Sequence, residues 1–286
     1  MLTCGLTRKE NWLTRLPLSR SGRTALEVAT RAAEEAGSLL LDQMYRERQL
    51  SYKEGRANIV TEADMAAEKE IIGLLQHEYP DHNILSEESP RIANGSQYTW
   101  VIDPMDGTNN YAYGIPHFSV ALALVDDEEV LLGVTYDPVR KEVFAADRGG
   151  VARLNGQPIA VAERTSVEHA FIGCDMGYEP EAGARVLDIV RATWPRMAGL
   201  RVMGSAVLGL AYVACGRLDG YIHPSLYPWD LAGGILLVQE AGGVVTGWEG
   251  EPVGISSKRV VAGSKAIQPQ LLGLVRGEYQ PGLESA

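Results

Sequence analysis

Apolar positions recur at helical spacing in two early stretches. Leu26, Val28, Ala29, Ala32, Ala33, Ala36, Leu39 and Leu40 are interleaved with Glu27, Glu34 and Glu35 along residues 24–47. This is the pattern of an amphipathic helix built from good helix formers, with Ser21 or Thr24 placed to cap its start. Residues 62–79 repeat the pattern, with Thr61 as N-cap and Pro80 as the stop. Polar residues 51–58, which include Gly55, predict a mobile loop between them. Beyond Pro80 the period shortens. Trp100-Val-Ile and residues 118–125, 130–136 and 142–146 are β-branched or alternating runs, which predict strands. Asp126-Asp127-Glu128-Glu129 fits a hairpin turn between two of them. From about Ser166 strands alternate with helices: strands over 170–174, 218–222, 244–246 and 260–262, helices over 181–193, from Ser205 to Cys215, over 228–241 and over 265–275. Pro228 starts the third of these helices and Gly242-Gly243 ends it. An α+β first half (24–165) and an α/β second half (166–277) are expected to pack as one unit, between an extension (1–23) and a short tail (278–286).

Bulk properties narrow the chemistry. The 286 residues are 45% hydrophobic, enough for one large core. A net charge of −11 argues against general nucleic-acid binding, which needs a basic footprint. No apolar run has the length of a membrane span, and residues 1–23 lack the continuous apolar stretch of a secretory signal. Cys4, Cys174 and Cys215 are widely spaced, which fits reduced thiols in a cytoplasmic protein.

The candidate chemistry begins at Trp100-Val-Ile-Asp-Pro-Met-Asp-Gly-Thr-Asn-Asn-Tyr111. Pro104 has no N–H for a ladder, so a strand is expected to stop at Asp103. Gly107 lets the backbone approach a ligand, and Thr108 is placed to cap a following helix. Such a turn offers acids to a hard cation and N–H groups to a phosphate. Three further segments end apolar runs in acids: Asn58 to Asp64, Ile84 to Glu88 and Tyr227 to Asp230. Each alone has a plain structural account. Asp64 and Asp230 could be first-turn helix acids, and Glu87-Glu88 an exposed loop.

Together these segments resemble the inositol monophosphatase family of Mg²⁺-dependent, lithium-sensitive sugar phosphatases. Asp103 to Tyr111 matches the family's central signature, followed by Gly114-Ile-Pro-His-Phe-Ser-Val. Trp229-Asp230-Leu-Ala-Gly-Gly and Glu240-Ala-Gly-Gly243 match its C-terminal signature. The resemblance implies a layered α-β-α-β-α sandwich, usually a homodimer, holding two or three Mg²⁺ ions. It implies that Glu87, Asp103 and the Met105 carbonyl hold one ion, that Asp103, Asp106 and Asp230 hold a second, and that Glu87 also reaches a third. Asp64 and Thr108 would pair beside the attacking water, with Glu87 helping to activate it. Gly107 and Thr108 would bind the phosphate, Gly204-Ser205-Ala206 would form a substrate loop, and Lys53 would lie near the metals. His223 stands where animal-type members usually carry a substrate-binding Glu, and is a weaker substrate-site candidate beside Asp230. The implied substrate is a small phosphorylated polyol or sugar, with inositol 1-phosphate leading. Fructose 1,6-bisphosphate, NADP or 3′-phosphoadenosine 5′-phosphate are the alternatives within the family, and a Mg²⁺-binding regulatory partner protein is the alternative outside enzymes.

Overall fold

A computed structural model describes residues 16–44, 50–52, 59–127 and 129–278. The first helix, α1 (Ala25–Gln43), starts at Thr24, whose hydroxyl accepts the Glu27 N–H while the Glu27 carboxylate accepts the Thr24 N–H. Two short strands, β1 (Leu50–Tyr52) and β2 (Ile59–Thr61), pair antiparallel, so Ser51 and Tyr52 belong to a strand and not to the expected loop. Helix α2 (Glu62–Glu78) follows, with Thr61 as its N-cap. Part of the expected N-terminal extension is ordered against it: the Arg20 and Ser21 amides both donate to Glu78, and Ser19 is buried.

The main sheet contains β3 (Asn83–Ser86), β4 (Tyr98–Asp106), β5 (Ser119–Asp126), β6 (Glu129–Asp137), β7 (Glu142–Asp147), β8 (Arg153–Leu154) and β9 (Gln157–Pro158), in that order. Only its β3–β4 pair is parallel; the rest are antiparallel. The hairpin at 126–129 forms where the four acids predicted it. A short helix, α3 (Thr108–Ala112), interrupts the path from β4 to β5. The strand β4 does not stop at Asp103. It runs to Asp106, with a register shift that lets Asp106 pair Ser119. Pro104 sits within that irregularity, where no ladder donor is required.

The second sheet is mixed. Its strands are β10 (Phe171–Cys174), β11 (Gly199–Val202), β12 (Gly220–His223), β13 (Val244–Thr246) and β14 (Val260–Gly263), in the order β11-β10-β12-β14-β13. Helices α4 (Pro180–Thr193), α5 (Ala206–Ala214), α6 (Pro228–Glu240) and α7 (Gln268–Arg276) complete the fold.

Three apolar clusters define the layers. The first packs α1 and α2 on the main sheet, the second places α5 and α6 between the two sheets, and the third packs α4 and α7 on the outer face of the second sheet. The result is an α-β-α-β-α sandwich. Helix α6 comes very close to β6: a Cβ added at Gly133 would lie 2.6 Å from the Gly233 Cα. Cys174 and Cys215 are free thiols, and among the described residues no helix is long and apolar enough to cross a membrane.

Candidate active site

The end of β4 carries the first two acids. Gly107 then turns with φ +97°, a left-handed conformation that disfavours a side chain, and a Cβ there would also lie 3.1 Å from the Gly204 and His117 carbonyl oxygens. Gly107 itself is therefore the N-cap position of α3, and Thr108 is the first helical residue, not the cap. Its hydroxyl has another use. It lies 3.1 Å from Asp64 Oδ1 and 3.0 Å from the Met105 carbonyl oxygen, so its single proton serves one of them at a time.

Asp64 sits in the first turn of α2, and its other oxygen accepts the Thr61 N–H at 2.8 Å and the Thr61 hydroxyl at 2.6 Å. Asp103 accepts the Met105 N–H at 3.0 Å, and Asp230, in the first turn of α6, accepts the Tyr227 N–H at 2.7 Å. Asp106 reaches across to the second half of the chain. It accepts from the Ser205 hydroxyl, from the Ala206 N–H at 3.2 Å and from the Val207 N–H at 2.9 Å, with Ser119 Oγ at 3.4 Å. These amides are the orphan donors of the α5 N-terminus, so an acid from β4 caps a helix about a hundred residues away. Ser205, the N-cap of α5, also accepts the Leu208 N–H.

Carboxylate oxygens of Asp103, Asp106 and Asp230 lie within 4.8 Å of one another. Burial, then the charges of Glu87, Asp106 and Asp230, push Asp103 well above the usual carboxylate range. Burial and the charges of Asp106 and Glu87 do the same to Asp230. Burial raises Asp106 to about 6 in spite of the donors from Ser205, Val207 and Ala206. Asp64 is raised to about 6, again chiefly by burial and against its hydrogen bonds from Thr61 and Thr108. Hard oxygen donors, crowded together and resisting ionisation, fit a divalent cation, which would neutralise their mutual repulsion. Glu87 lies just beyond β3, close enough for its charge to act on Asp64, Asp103 and Asp230.

The inositol monophosphatase family profile matches residues 22–280. The chain belongs to this family. It is 39% identical over 266 residues to the Nus factor SuhB of Pseudomonas aeruginosa, covering 91% of this chain and 98% of that protein. It is 37% identical over 258 residues to the inositol-1-monophosphatase of Mesorhizobium japonicum, covering 88% and 96%. The crystal structure of the extragenic suppressor protein suhB from Bartonella henselae superposes with a TM-score of 0.84 at 37% identity, covering 88% of this chain and 98% of that one.

Beside the acids of this inositol monophosphatase-family chain lies a cavity of about 230 Å³. Asp106, Gly107, Thr108, Gly204, Ser205, Ala206, His223 and Asp230 all line it. His223 is buried, and its Nδ1 accepts the Ser225 N–H at 3.2 Å. Its proton is therefore on Nε2, and burial pushes its pKa down to about 3, so the ring is a neutral donor. Lys53 lies outside the described residues.

Two residues that sequence reasoning passed over brace the cavity. Asp175, just past β10, accepts the Gly204 N–H at 2.6 Å and the Tyr221 hydroxyl at 2.5 Å. The Asn110 amide donates to the carbonyls of His117, Met203 and Gly204, tying α3 to the substrate-loop candidate. Asn110 falls within the central signature and was legible there; Asp175 had no local signal.

Proposed function

We propose that the protein is a Mg²⁺-dependent phosphatase that hydrolyses the phosphate monoester of a small cyclic polyol or sugar, with inositol 1-phosphate the leading substrate. What supports this is the clustering of Asp103, Asp106 and Asp230 beside a cavity of about 230 Å³ that Asp106 and Asp230 line, a volume that suits a small ester. Glu87, Asp103 and the Met105 carbonyl would hold one Mg²⁺, and Asp103, Asp106 and Asp230 a second, with Glu87 also serving a weaker third. Bound Mg²⁺ would supply the positive charge that admits a dianionic ester and acidifies the attacking water.

The chain's own groups do the rest. The Thr108–Asp64 pair and Glu87 orient the water and take its proton. N–H groups of Gly107 and Thr108 receive phosphate oxygens. The Gly204-Ser205-Ala206 loop and the His223 Nε2–H contact the alcohol part. Attack is direct, with no phosphorylated side chain. A panel of inositol 1-phosphate, fructose 1,6-bisphosphate, NADP and 3′-phosphoadenosine 5′-phosphate, assayed at fixed Mg²⁺, tests the reading. Turnover of inositol 1-phosphate that is inhibited by lithium supports it. Adenosine bisphosphate turnover far above that of the sugar phosphates reverses the substrate ranking, and inactivity on the whole panel sinks the proposal.

Several relatives bear the name Nus factor SuhB, which favours a second role as a binding partner alongside hydrolysis. An Asp103→Asn protein that still captures its macromolecular partner would separate the two roles.

A further inference from the structure

One aromatic side chain at the cavity has no part in the reading above. Tyr178 stands in the loop between β10 and α4 and lines the cavity with Asp106, Thr108 and Asp230. The residue is 54% exposed. Shielding from water and the charges of Glu87, Asp106, Asp230 and Asp103 all push its pKa upward, so it stays a neutral phenol. Among the described residues no hydrogen bond holds that hydroxyl.

The loop beneath it is braced. Asp175 is tied to Gly204 and Tyr221, and the Asp175 N–H donates to the Ile222 carbonyl. Gly177 turns with φ +65° against the 224–225 segment, where a Cβ would meet Ser225 Cβ at 3.3 Å. Pro180 starts α4 immediately afterwards. A neutral O–H donor is thus held at the cavity that Asp106 and Asp230 line, on a braced loop, and among the described residues no protein acceptor takes its proton. An anion seated in this cavity would offer that hydroxyl a charged acceptor in place of water.

We propose that Tyr178 is a substrate-contacting residue whose hydroxyl donates a hydrogen bond to the phosphoryl group seated at the carboxylate cluster, while its ring roofs the cavity mouth. This rests on the phosphatase reading. Because the contact is to the phosphoryl group, it serves every monoester alike and is not a device for selecting the alcohol.

Tyr178→Phe removes the hydroxyl and keeps the ring; Tyr178→Ala removes both. Expected for Tyr178→Phe is a loss of about tenfold in kcat/KM, the worth of one hydrogen bond to a charged acceptor. The loss should be equal on inositol 1-phosphate and on p-nitrophenyl phosphate, whose alcohol parts share nothing. Calorimetric binding of inorganic phosphate in Mg²⁺ should weaken by a similar factor, with Tm unchanged because the side chain is half exposed. Tyr178→Ala should be at least as impaired. Unaltered kinetics and phosphate binding in Tyr178→Phe would overturn the assignment, as would a loss confined to inositol 1-phosphate. A wild-type protein without any Mg²⁺-dependent turnover would instead remove the phosphatase reading, and phosphate binding by the two proteins would still test Tyr178 itself.

Discussion

Two seams join the halves of this molecule at the candidate site, and they are built differently. At the seam between β4 and α5, Asp106 is surrounded by donors: the Ser205 hydroxyl, the Ala206 and Val207 amides and, more distantly, Ser119. At the seam between β4 and α6, Asp103 and Asp230 each accept from one backbone N–H, and burial with the neighbouring acids pushes both well above the usual carboxylate range. The first seam is satisfied by the protein alone. The second is satisfied only by protonation or by a cation. Asp106 therefore stitches the halves together, whereas Asp103 and Asp230 burden the metal-free fold, as acids would that await a cation.

Asp103→Asn presses hardest on this contrast. Activity should fall by roughly 10³-fold, reflecting the several kcal/mol of charge stabilisation that depends on the acid. The metal-free protein should melt higher than wild type, because a neutral amide ends the repulsion with Asp230. Asp106→Asn should melt lower, and equal Tm changes for both variants would erase the distinction.

A pH series on metal-free protein probes the same contrast. Asp64 and Asp106, raised to about 6 from an ordinary 3.8, hold protons in the folded state that the unfolded chain has released. Their contribution is complete below about pH 4 and is lost as pH rises through about 6. The metal-free Tm should therefore fall between pH 4 and 7, and saturating Mg²⁺ should flatten the decline. A Tm that climbs over this range without metal would contradict the assignment.

Gly133→Ala tests the support under Asp230. The added Cβ has only the Gly233 backbone to meet, which should cost roughly 1–3 kcal/mol in chemical denaturation and raise the Mg²⁺ concentration needed for half-maximal activity. Ser205→Ala should do least. One hydroxyl shared between Asp106 and the Leu208 N–H is lost while two amides remain, about 1 kcal/mol of stability with activity within severalfold.

Much of this was legible from residue order. The two early helices declared themselves by apolar period and Thr caps, and the hairpin at 126–129 by its acids. The acids each close an apolar run, but they were legible as one set only through the resemblance to the family. Local rules failed where distant residues decide the geometry. Pro104 was expected to end β4, but β5 supplies a partner beyond the bulge at Ser119. Thr108 was expected as a cap, but Gly107 takes that place and the Thr108 hydroxyl turns to Asp64. Residues 16–23 have the polar composition of a loose end, and distant groups hold them: the Glu78 carboxylate and carbonyl, and the Tyr79 hydroxyl, which donates to the Pro17 carbonyl. Asp175 acquires its importance from Gly204 and Tyr221, neither of which is its neighbour in the chain.

The contact of Gly133 with Gly233 carries a mechanical consequence. Side chains elsewhere can change rotamer when a core is strained, but two touching backbones have no such slack. The helix bearing Asp230 is thus set on the main sheet at a hard stop, and the spacing of its carboxylate from Asp103 and Asp106 inherits the tolerance of that stop.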